Sequence, residues 1–390
     1  MFNLTLELKL KPTVAQIAVF EDWVEQCRKV YNSALKKRKD GYNSRKCQIN
    51  SCSKRSEYIM PADGPLPTYS SQSKALTTYR KTSPALLRVN AALLQQTRLR
   101  LEKNFVSMWE QSHGFHRFKK QATLRCFNEP QFGVTFHQGN RFKLPVIGCI
   151  KFWQDRPIPQ GAIVKQARVV RQSTGWYIML MQWDVSIPDT IPHGNPVGMD
   201  VGLTNFIATY NGLLIKRTSF LGEVERKLKL LQKRVTRKKI VSKNRKSSAE
   251  KVALRHEYVA NSRKDWHRKL SHQICDNAGR VLVEDLNWVG SKAAMLGKHC
   301  LDAGFGELFN ILEQTCFKRG VYFPKVDGNK TSEICPNCLK ETGKKELSER
   351  VHSCHHCAYT TDRDVAAAQV VLKRGLAAVG HTACDAPHCK

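Results

Sequence analysis

Residues 197–203 read VGMDVGL and residues 281–286 read VLVEDL, so two apolar segments with strand character each carry an acidic residue. Asp200 lies inside the first segment and Glu284 lies near the end of the second. A charge in an apolar strand is costly unless it is paired or bound to a metal ion. Because successive side chains of a strand point to opposite faces, Glu284 and Asp285 cannot both face one site. The two segments therefore predict two apolar strands, each with a carboxylate that is paired with another group or bound to a metal ion.

A third acidic residue, Asp364, stands in TDRDVAAAQVV, residues 361–371, where a helix is predicted to begin. An Asp near a helix N-terminus is favoured in any protein, so no single carboxylate decides the matter. As a set, the three suit phosphodiester hydrolysis, which uses two hard divalent ions about 3.5–4 Å apart, ligated by carboxylate oxygens. We predict that Asp200, Glu284 and Asp364 are catalytic and together bind two Mg²⁺ ions.

Two cysteine pairs, Cys335-Pro-Asn-Cys338 and Cys354-His-His-Cys357, are separated by 15 residues. This spacing is typical of a zinc ribbon, in which four thiolates surround one tetrahedral ion. We predict one structural Zn²⁺, because four thiolates leave no open position for catalysis. The alternative is a chance grouping of free thiols. The nearby histidines are expected to stay outside the metal site: His352, His355 and His356.

The charge of the chain indicates a polyanionic partner. Its 390 residues contain 64 Lys and Arg against 33 Asp and Glu, which leaves a net charge of +31, and 41% of residues are hydrophobic. This composition predicts a folded protein of about two to four domains that binds nucleic acid. A membrane surface is the alternative partner, but no apolar stretch reaches the roughly 20 residues that cross a bilayer.

The N-terminal residues MFNLTLELKLKPT lack the apolar segment of a secretory signal, so we expect a location inside the cell. The 14 cysteines would then be reduced thiols or metal ligands. No membrane association is predicted.

The N-terminal half divides by local pattern. Residues 2–10 alternate like a strand, and a helical pattern starts after Pro12. Residues 40–66 have the composition of a loop, and a second helical pattern covers about 84–111. Short β-like runs separated by turn residues fill 124–188, which predicts a small antiparallel barrel or sandwich.

A basic helical hairpin is predicted over residues 220–275, where a narrow apolar stripe is flanked by Lys and Arg and interrupted at SKNRKSS. Basic ends of helices suit the helix dipole, but they also suit phosphate. We predict nucleic-acid contacts at eleven basic positions: Arg28, Lys36, Lys37, Arg38, Arg117, Lys119, Lys120, Arg234, Arg237, Lys238 and Lys239.

Motifs in both halves of the chain resemble those of the TnpB family of insertion-sequence RNA-guided nucleases, which are relatives of type V CRISPR effectors. The C-terminal motifs are GMDVGL, LVEDLNW, TSEICPNC and CHHC, followed by the Asp364 helix. The N-terminal half contributes WVEQCRKVYNSAL, LLQQTRLRLEKNF and GFHRFKK. The resemblance selects Asp364 rather than Asp362 as the third acid. It departs from the usual pattern at Leu339 and Ala358, where glycine commonly stands.

The resemblance implies a multidomain α/β fold. Its parts would be an RNase H-like (RuvC) nuclease domain with a nested zinc ribbon, preceded by a wedge-like β-barrel that a helical recognition domain interrupts. The implied boundaries are 1–10 and 119–190 for the wedge, 11–118 for the helical domain, 191–334 and 358–375 for RuvC with the hairpin 220–275, 335–357 for the zinc ribbon, and 376–390 for a disordered tail.

The function that the resemblance implies is that of a transposon-encoded endonuclease, which binds a guide RNA from the element and cleaves target DNA next to a short flanking motif by two-metal phosphodiester hydrolysis. The partners would be a guide RNA, double-stranded target DNA and its unwound strands, with a monomeric protein in the ribonucleoprotein. The location would be the cytoplasm or nucleoid of a prokaryotic cell. The alternatives are a cleavage-deficient RNA-guided DNA-binding regulator, a transposase acting directly on element ends, and a junction resolvase.

Overall fold

The structure, a computed structural model, describes residues 2–46, 64–111, 114–121, 123–130, 136–137, 140–154, 163–185, 194–286, 297–346 and 348–378. The chain divides into two compact units, Met1–Ser186 and Ile187–Lys390. Residues 186–193, at the junction of the two units in the sequence, lie outside the described residues. Among those described, no helix is both long enough and apolar enough to cross a membrane.

The first unit contains an antiparallel sheet that, in the described part of the chain, has seven strands in the order β2-β6-β7-β1-β5-β4-β3. The first strand pairs with β7 on one side and β5 on the other, so the N-terminus of the chain lies in the middle of this sheet. The strands are β1 (Phe2–Lys11), β2 (Cys126–Glu129), β3 (Phe136–His137), β4 (Arg141–Leu144), β5 (Gly148–Trp153), β6 (Ile163–Gln172) and β7 (Gly175–Val185).

Helices cover one face of this sheet. Leu6, Leu8 and Leu10 alternate along β1 and point into a core that also contains Phe20 and Trp23. The helices of the unit are α1 (Val14–Lys46), α2 (Tyr69–Thr82), α3 (Pro84–Leu87) and α4 (Ala91–Glu110). Strand, helix and β-rich segments therefore occur in the predicted order.

Three details of the first unit differ from the expectation. Helix α1 continues to Lys46 through residues that had the composition of a loop, because Tyr42 stacks on Phe105 of α4 with ring centroids 6.3 Å apart. Helix α2 was not predicted. The single helix expected over about 84–111 is two helices, since the side chain of Asn90 accepts a hydrogen bond from the backbone N–H of Ala92 and begins α4.

The second unit is built on a mixed sheet that, within the described residues, has five strands in the order β10-β9-β8-β11-β12. Strands β8, β9 and β10 are consecutive and antiparallel, whereas β11 runs parallel to both β8 and β12. The strands are β8 (Asn195–Asp200), β9 (Asn205–Thr209), β10 (Leu214–Lys216), β11 (Ala278–Glu284) and β12 (Lys325–Val326). This arrangement is consistent with the expected RuvC-type domain, and the predicted multidomain α/β class is confirmed.

Helices surround the mixed sheet in the second unit. They are α5 (Gly222–Thr236), α6 (Lys243–Cys275), α7 (Gly297–Ala303), α8 (Phe305–Lys318) and α9 (Arg363–Ala378). Helices α5 and α6 form the predicted basic hairpin. The break between them comes earlier than predicted, before SKNRKSS rather than within it, because the side chain of Ser242 accepts a hydrogen bond from the N–H of Arg245 and caps α6. Helix α9 continues to Ala378 with Leu376 buried, so the predicted tail begins later than residue 376. The rest of it lies outside the described residues.

Helix α9 packs very closely against the sheet at two glycines. A Cβ added to Gly198 of β8 would overlap the carbonyl oxygen of Ala368 and lie 2.6 Å from Cβ of Leu372. A Cβ added to Gly375 of α9 would overlap the side chain of Leu282 of β11 and lie 3.2 Å from Val326. Only glycine permits this separation of helix and sheet, and Asp364 lies on the first turn of this helix.

Gly198→Ala is expected to lower the free energy of unfolding by about 1–3 kcal/mol or more, because the new methyl group must displace the backbone of α9. Urea denaturation measures the change. Gly306→Ala in α8 is the matched control, since nothing lies within 4 Å of the added methyl group. The control should be neutral or should stabilise by up to about 1 kcal/mol. Equal losses in both variants would contradict the close packing of α9.

Candidate active site

Two carboxylates lie side by side on the central strands of the mixed sheet. The parallel pairing of β11 with β8 places Val283 opposite Met199, so that the next residues along, Glu284 and Asp200, end adjacent strands on the same face. The two strands are themselves buried: Met199 is 1% exposed and Val283 is 1% exposed. The apolar segments that surround these acids in the sequence therefore form the core beneath them.

The third carboxylate comes from helix α9. Asp364 lies in its first turn, and its Oδ2 accepts a hydrogen bond of 2.8 Å from Nδ2 of Asn205, the first residue of β9. The negative charges of Glu284 and Asp364 both act on Asp200. The structure thus brings together the three acids that the sequence predicted, although the segments that carry them are well separated along the chain.

The electrostatics of Asp200 are those of a crowded acidic site. Burial raises the pKa of its carboxyl group to about 8, and the charges of Glu284 and Asp364 act in the same direction. A hydrogen bond from the backbone N–H of Val201 and the charge of Arg363 oppose this rise only in part. Three acids in such a position are stabilised as carboxylates when a cation lies between them.

Glu284 is the most buried of the three acids. Its side chain is 9% exposed, and burial raises its pKa, while Thr331 and the charge of Arg374 lower it. Its Oε1 is buried and has no hydrogen-bond partner in the described part of the chain. A buried carboxylate oxygen without a partner, beside two further carboxylates, is a set of hard oxygen donors that fits a divalent cation such as Mg²⁺.

The two neighbouring acids, Asp285 and Asp362, have other positions. Asp285 is exposed, and its backbone N–H donates to the carbonyl of Val326. Asp362 accepts hydrogen bonds from the N–H groups of Asp364 (2.9 Å) and Val365 (3.4 Å), which is the role of a helix-capping residue. The geometry agrees with the choice of Glu284 and Asp364 from the two acidic pairs.

A second cluster consists of the four predicted cysteines. Their Sγ atoms all lie within 4.8 Å of one another, with Cys335 and Cys357 3.6 Å apart and Cys338 and Cys354 also 3.6 Å apart. This geometry is compatible with one tetrahedral zinc ion. His352 is fully buried beside the cluster, with its Nδ1 against the Lys345 ammonium, and it is not part of the four-cysteine group.

The two cysteine knuckles adopt the same backbone conformation. The N–H of Leu339 donates to the carbonyl of Cys335, and the N–H of Ala358 donates to that of Cys354, each at 2.9 Å. Leu339 has φ of 59° and Ala358 has φ of 56°, values in the left-handed region that favours glycine. Leu339 and Ala358 therefore both adopt the backbone conformation for which glycine is usual.

The predicted nucleic-acid contacts divide into exposed residues and residues with structural partners. Seven are exposed: Lys36, Lys37, Arg117, Lys120, Arg234, Arg237 and Lys239. Arg38 is a correction, because it is 5% exposed, pairs with Glu102 and Gln72, and stacks on Phe105. Its charge is neutralised within the protein by the ion pair with Glu102.

Three further residues predicted to bind nucleic acid already have partners within the protein. Arg28 pairs with Glu25 and donates to the carbonyl of Lys119, and the ammonium of Lys119 lies over Tyr31. Lys238 donates to the hydroxyl of Ser248 at 2.7 Å.

Sequence reasoning missed the neutral and basic residues that support the acids. Asn205 orients Asp364, and Thr331 and Arg374 act on Glu284. Arg374 is itself held by the carbonyls of Asp327 and Asn329, at 2.8 and 2.7 Å. None of these residues stands in a distinctive local pattern, although Asn205 lies only five residues beyond Asp200.

In the absence of divalent cations, the stability of the protein is expected to fall as pH rises from about 4 to about 8. The Asp200 carboxyl has an ordinary pKa of 3.8 and a folded-state pKa of about 8, so within this window the folded protein binds the proton more tightly than the unfolded chain. Asp200→Asn should flatten this dependence and raise stability at the alkaline end. Urea denaturation across pH measures it, with exposed Asp285→Asn as the control that should keep the wild-type slope.

Three family models match the chain. The OrfB_IS605 model, described as "Probable transposase", matches residues 179–294, and the model described as "Cas12f1-like, TNB domain" matches residues 305–371. A third, HTH_OrfB_IS605, described as "Helix-turn-helix domain", matches residues 1–47. In this structure the third segment consists of strand β1 and the single long helix α1.

Two similar proteins span almost the whole chain. A "Putative RNA-guided DNA endonuclease" of Streptomyces pristinaespiralis is 28% identical over 373 residues, which is 94% of this chain and 88% of that protein. A "Putative RNA-guided DNA endonuclease InsQ" of Escherichia coli strain K12 is 25% identical over 387 residues, 95% of this chain and 91% of that protein. A solved complex of Cas12f1 with sgRNA and target DNA is 18% identical, with 96% of this chain and 100% of that chain covered and a TM-score of 0.36.

The three models together match more than half of the chain, and two of them describe OrfB proteins of the same insertion-sequence type. The two similar proteins add near-complete coverage from end to end. These matches confirm the predicted resemblance to the TnpB family, the OrfB-type proteins of insertion sequences.

Proposed function

We propose that this protein is a transposon-encoded, RNA-guided DNA endonuclease that hydrolyses phosphodiester bonds next to a short flanking motif. The observation that carries the proposal is the convergence of Asp200, Glu284 and Asp364 on one face of the mixed sheet. The two full-length relatives described as RNA-guided DNA endonucleases support the same activity. A guided regulator without cleavage would have no need to maintain three mutually repelling acids at one site, one of them buried and two half-buried.

The proposed reaction centre consists of the three carboxylates and their supports. Asp200, Glu284 and Asp364 would hold two Mg²⁺ ions, which supply activation of water and stabilisation of the leaving oxygen when bound. Asn205 fixes the orientation of Asp364, because it donates a hydrogen bond to one carboxylate oxygen and leaves the other available. Thr331 and Arg374 favour the ionised form of Glu284, the form that binds a cation.

The four-cysteine cluster is proposed to hold one structural Zn²⁺. The cluster lies between β12 and α9, and its second knuckle joins β13 (Val351–Ser353) to β14 (Thr360–Asp362), directly before the helix that carries Asp364. A filled zinc site would therefore fix the start of α9. Its role in cleavage would be indirect, through the position of the third acid.

The basic surfaces are proposed to hold guide RNA and target DNA through phosphate groups, in a monomeric ribonucleoprotein. A net charge of +31 requires a polyanion, and exposed basic residues occur on α1, in the segment after α4, and along the α5–α6 hairpin. We further propose that the sheet of the first unit is the wedge domain, that the helices inserted within it, inside 11–118, form the recognition domain, and that the target sequence is read by pairing with the guide.

Asp200→Ala, Glu284→Ala and Asp364→Ala are each expected to abolish cleavage of guided target DNA, since each removes ligands from the same metal pair. A gel assay of cleavage with the reconstituted ribonucleoprotein measures this, and a mobility-shift assay should show that guide and target still bind. Mg²⁺ omission should stop cleavage, and its return should restore it.

The controls for this test are the neighbouring acids. Asp285→Ala should cut at the wild-type rate because Asp285 is exposed and away from the site. Asp362→Ala should still cut, with a loss of stability of about 0.5–2 kcal/mol from the missing helix cap. Cleavage by all three site variants would refute the nuclease proposal, and loss of cleavage in Asp362→Ala alone would place the third acid two residues earlier.

The purified protein is expected to contain one zinc per chain by elemental analysis. Cys335→Ser or Cys354→Ser should release it and lower solubility, because the binding energy of a structural zinc is also folding energy. Cys149→Ser is the matched control: this exposed cysteine lies on β5 of the first unit and is not one of the four, so its loss should leave the zinc content unchanged. An active protein free of zinc would contradict the assignment.

A further inference from the structure

Three aromatic side chains of the first unit are exposed close together, and we call them the aromatic surface: Trp109, Phe115 and Phe118. Their exposed fractions are 56%, 42% and 48%. Trp109 lies at the end of α4, and the two phenylalanines follow in residues 114–121. Exposed rings that are adjacent, rather than scattered singly, mark an interaction site.

The aromatic surface rests on an ordered base of further rings. Phe105, which is fully buried, contacts Trp109 and Phe115 with ring centroids 5.8 and 5.6 Å away. Tyr42 of α1 contacts the same two rings at 6.4 and 5.9 Å. Two of the three exposed rings are therefore packed on one side and open on the other.

The segment that carries Phe115 and Phe118 is tied to the helices although it has no helix or strand of its own. Nε2 of His116 forms a hydrogen bond of 2.8 Å with the carbonyl oxygen of Asn104. The backbone of Lys119 exchanges two hydrogen bonds with the side chain of Asn32, both at 2.8 Å, and its carbonyl accepts a third from Arg28 at 3.0 Å. Because the rings are already held in place, little conformational entropy is lost when a ligand packs on them.

Positive charge is interleaved with these rings. The Lys39 ammonium lies 5.3 Å from the ring centre of Phe115 and 4.8 Å from that of Phe118. Lys36, Arg117 and Lys120 are exposed nearby in the sequence. Open aromatic faces combined with cations match single-stranded nucleic acid, which offers unpaired bases for stacking and phosphates for pairing.

We propose that the aromatic surface stacks on unpaired bases of the guide RNA. This inference rests on the proposed function and adds a base-stacking contact to the phosphate contacts already described. An exposed apolar surface rimmed by polar residues marks an interaction site. The guide RNA is the nucleic acid that is present before target DNA is encountered, whereas an unwound DNA strand is present only during cleavage.

The test uses the full-length protein purified with the RNA that it carries from expression. The triple variant Trp109→Leu, Phe115→Leu, Phe118→Leu is compared with wild type after a wash at about 1 M salt, where phosphate contacts are strongly screened. RNA retained per protein is expected to fall roughly tenfold or more, because stacking on bases does not depend on salt as phosphate contacts do. Ultraviolet irradiation of the wild-type complex, before any target is added, should cross-link RNA to peptides that contain these residues.

Trp153→Leu is the matched control. Trp153 is 57% exposed, its ring lies 3.1 Å from the Lys11 ammonium, and it stands on β5 outside the aromatic surface. This variant should retain as much RNA as wild type. Urea denaturation checks that each variant is folded. If the triple variant does not fold, the single variant Phe118→Leu replaces it in the test, because among the described ring contacts Phe118 makes none with Phe105 or Tyr42.

The outcomes separate this inference from the proposed function. Equal RNA retention by the triple variant and wild type, while both cut guided DNA, overturns the stacking site alone. Cross-links that form only to DNA, and only after target is added, overturn the assignment to guide RNA. A wild-type protein that carries no RNA overturns the proposed function, and this inference with it.

Discussion

The close contact of helix α9 with strands β8 and β11 is the constraint on which the candidate active site depends. Asp200 and Glu284 are placed by pairing of neighbouring strands, but Asp364 reaches them only because α9 lies almost directly on the sheet. Gly198 and Gly375 make this separation possible, one from each side of the contact. The buried residues Leu282, Val371 and Leu372 fill the space between them.

This packing must hold together charges that repel one another. Burial first, and then the charges of Glu284 and Asp364, raise the folded-state pKa of Asp200 to about 8, so an ionised carboxylate is unfavourable at this position in the absence of a cation. The burial of Leu282 and Val371, each 0% exposed, supplies stability that does not depend on the acids. The apolar core therefore stabilises the site, whereas the three neighbouring carboxylates destabilise it. A bound cation would offset the repulsion between these carboxylates. The expected pH dependence of stability follows from the same balance.

The sequence predicted the parts of the site that have a local pattern. An acid in an apolar strand is conspicuous, and so are four cysteines in two pairs, because both are costly or unusual without a ligand. Asn205, Thr331 and Arg374 were missed since each is ordinary in its own segment and acquires its role only from tertiary contacts. Helix α1 shows the same limit: residues 40–46 have loop composition, yet the ring of Tyr42 packs on Phe105 and the helix continues.

The net charge indicates nucleic acid as the class of partner, but it does not identify the residues that would bind it. Arg38 was expected to bind phosphate because it stands in a run of four basic residues, yet the helix turns it inward to Glu102 while Lys36 and Lys37 remain exposed. Helical periodicity distributes such a run around the helix axis, so about one residue in three or four faces the core. A charge that is neutralised inside the protein contributes nothing to phosphate binding. The affinity for nucleic acid should therefore follow the exposed cations and the rings between them, rather than the total number of basic residues.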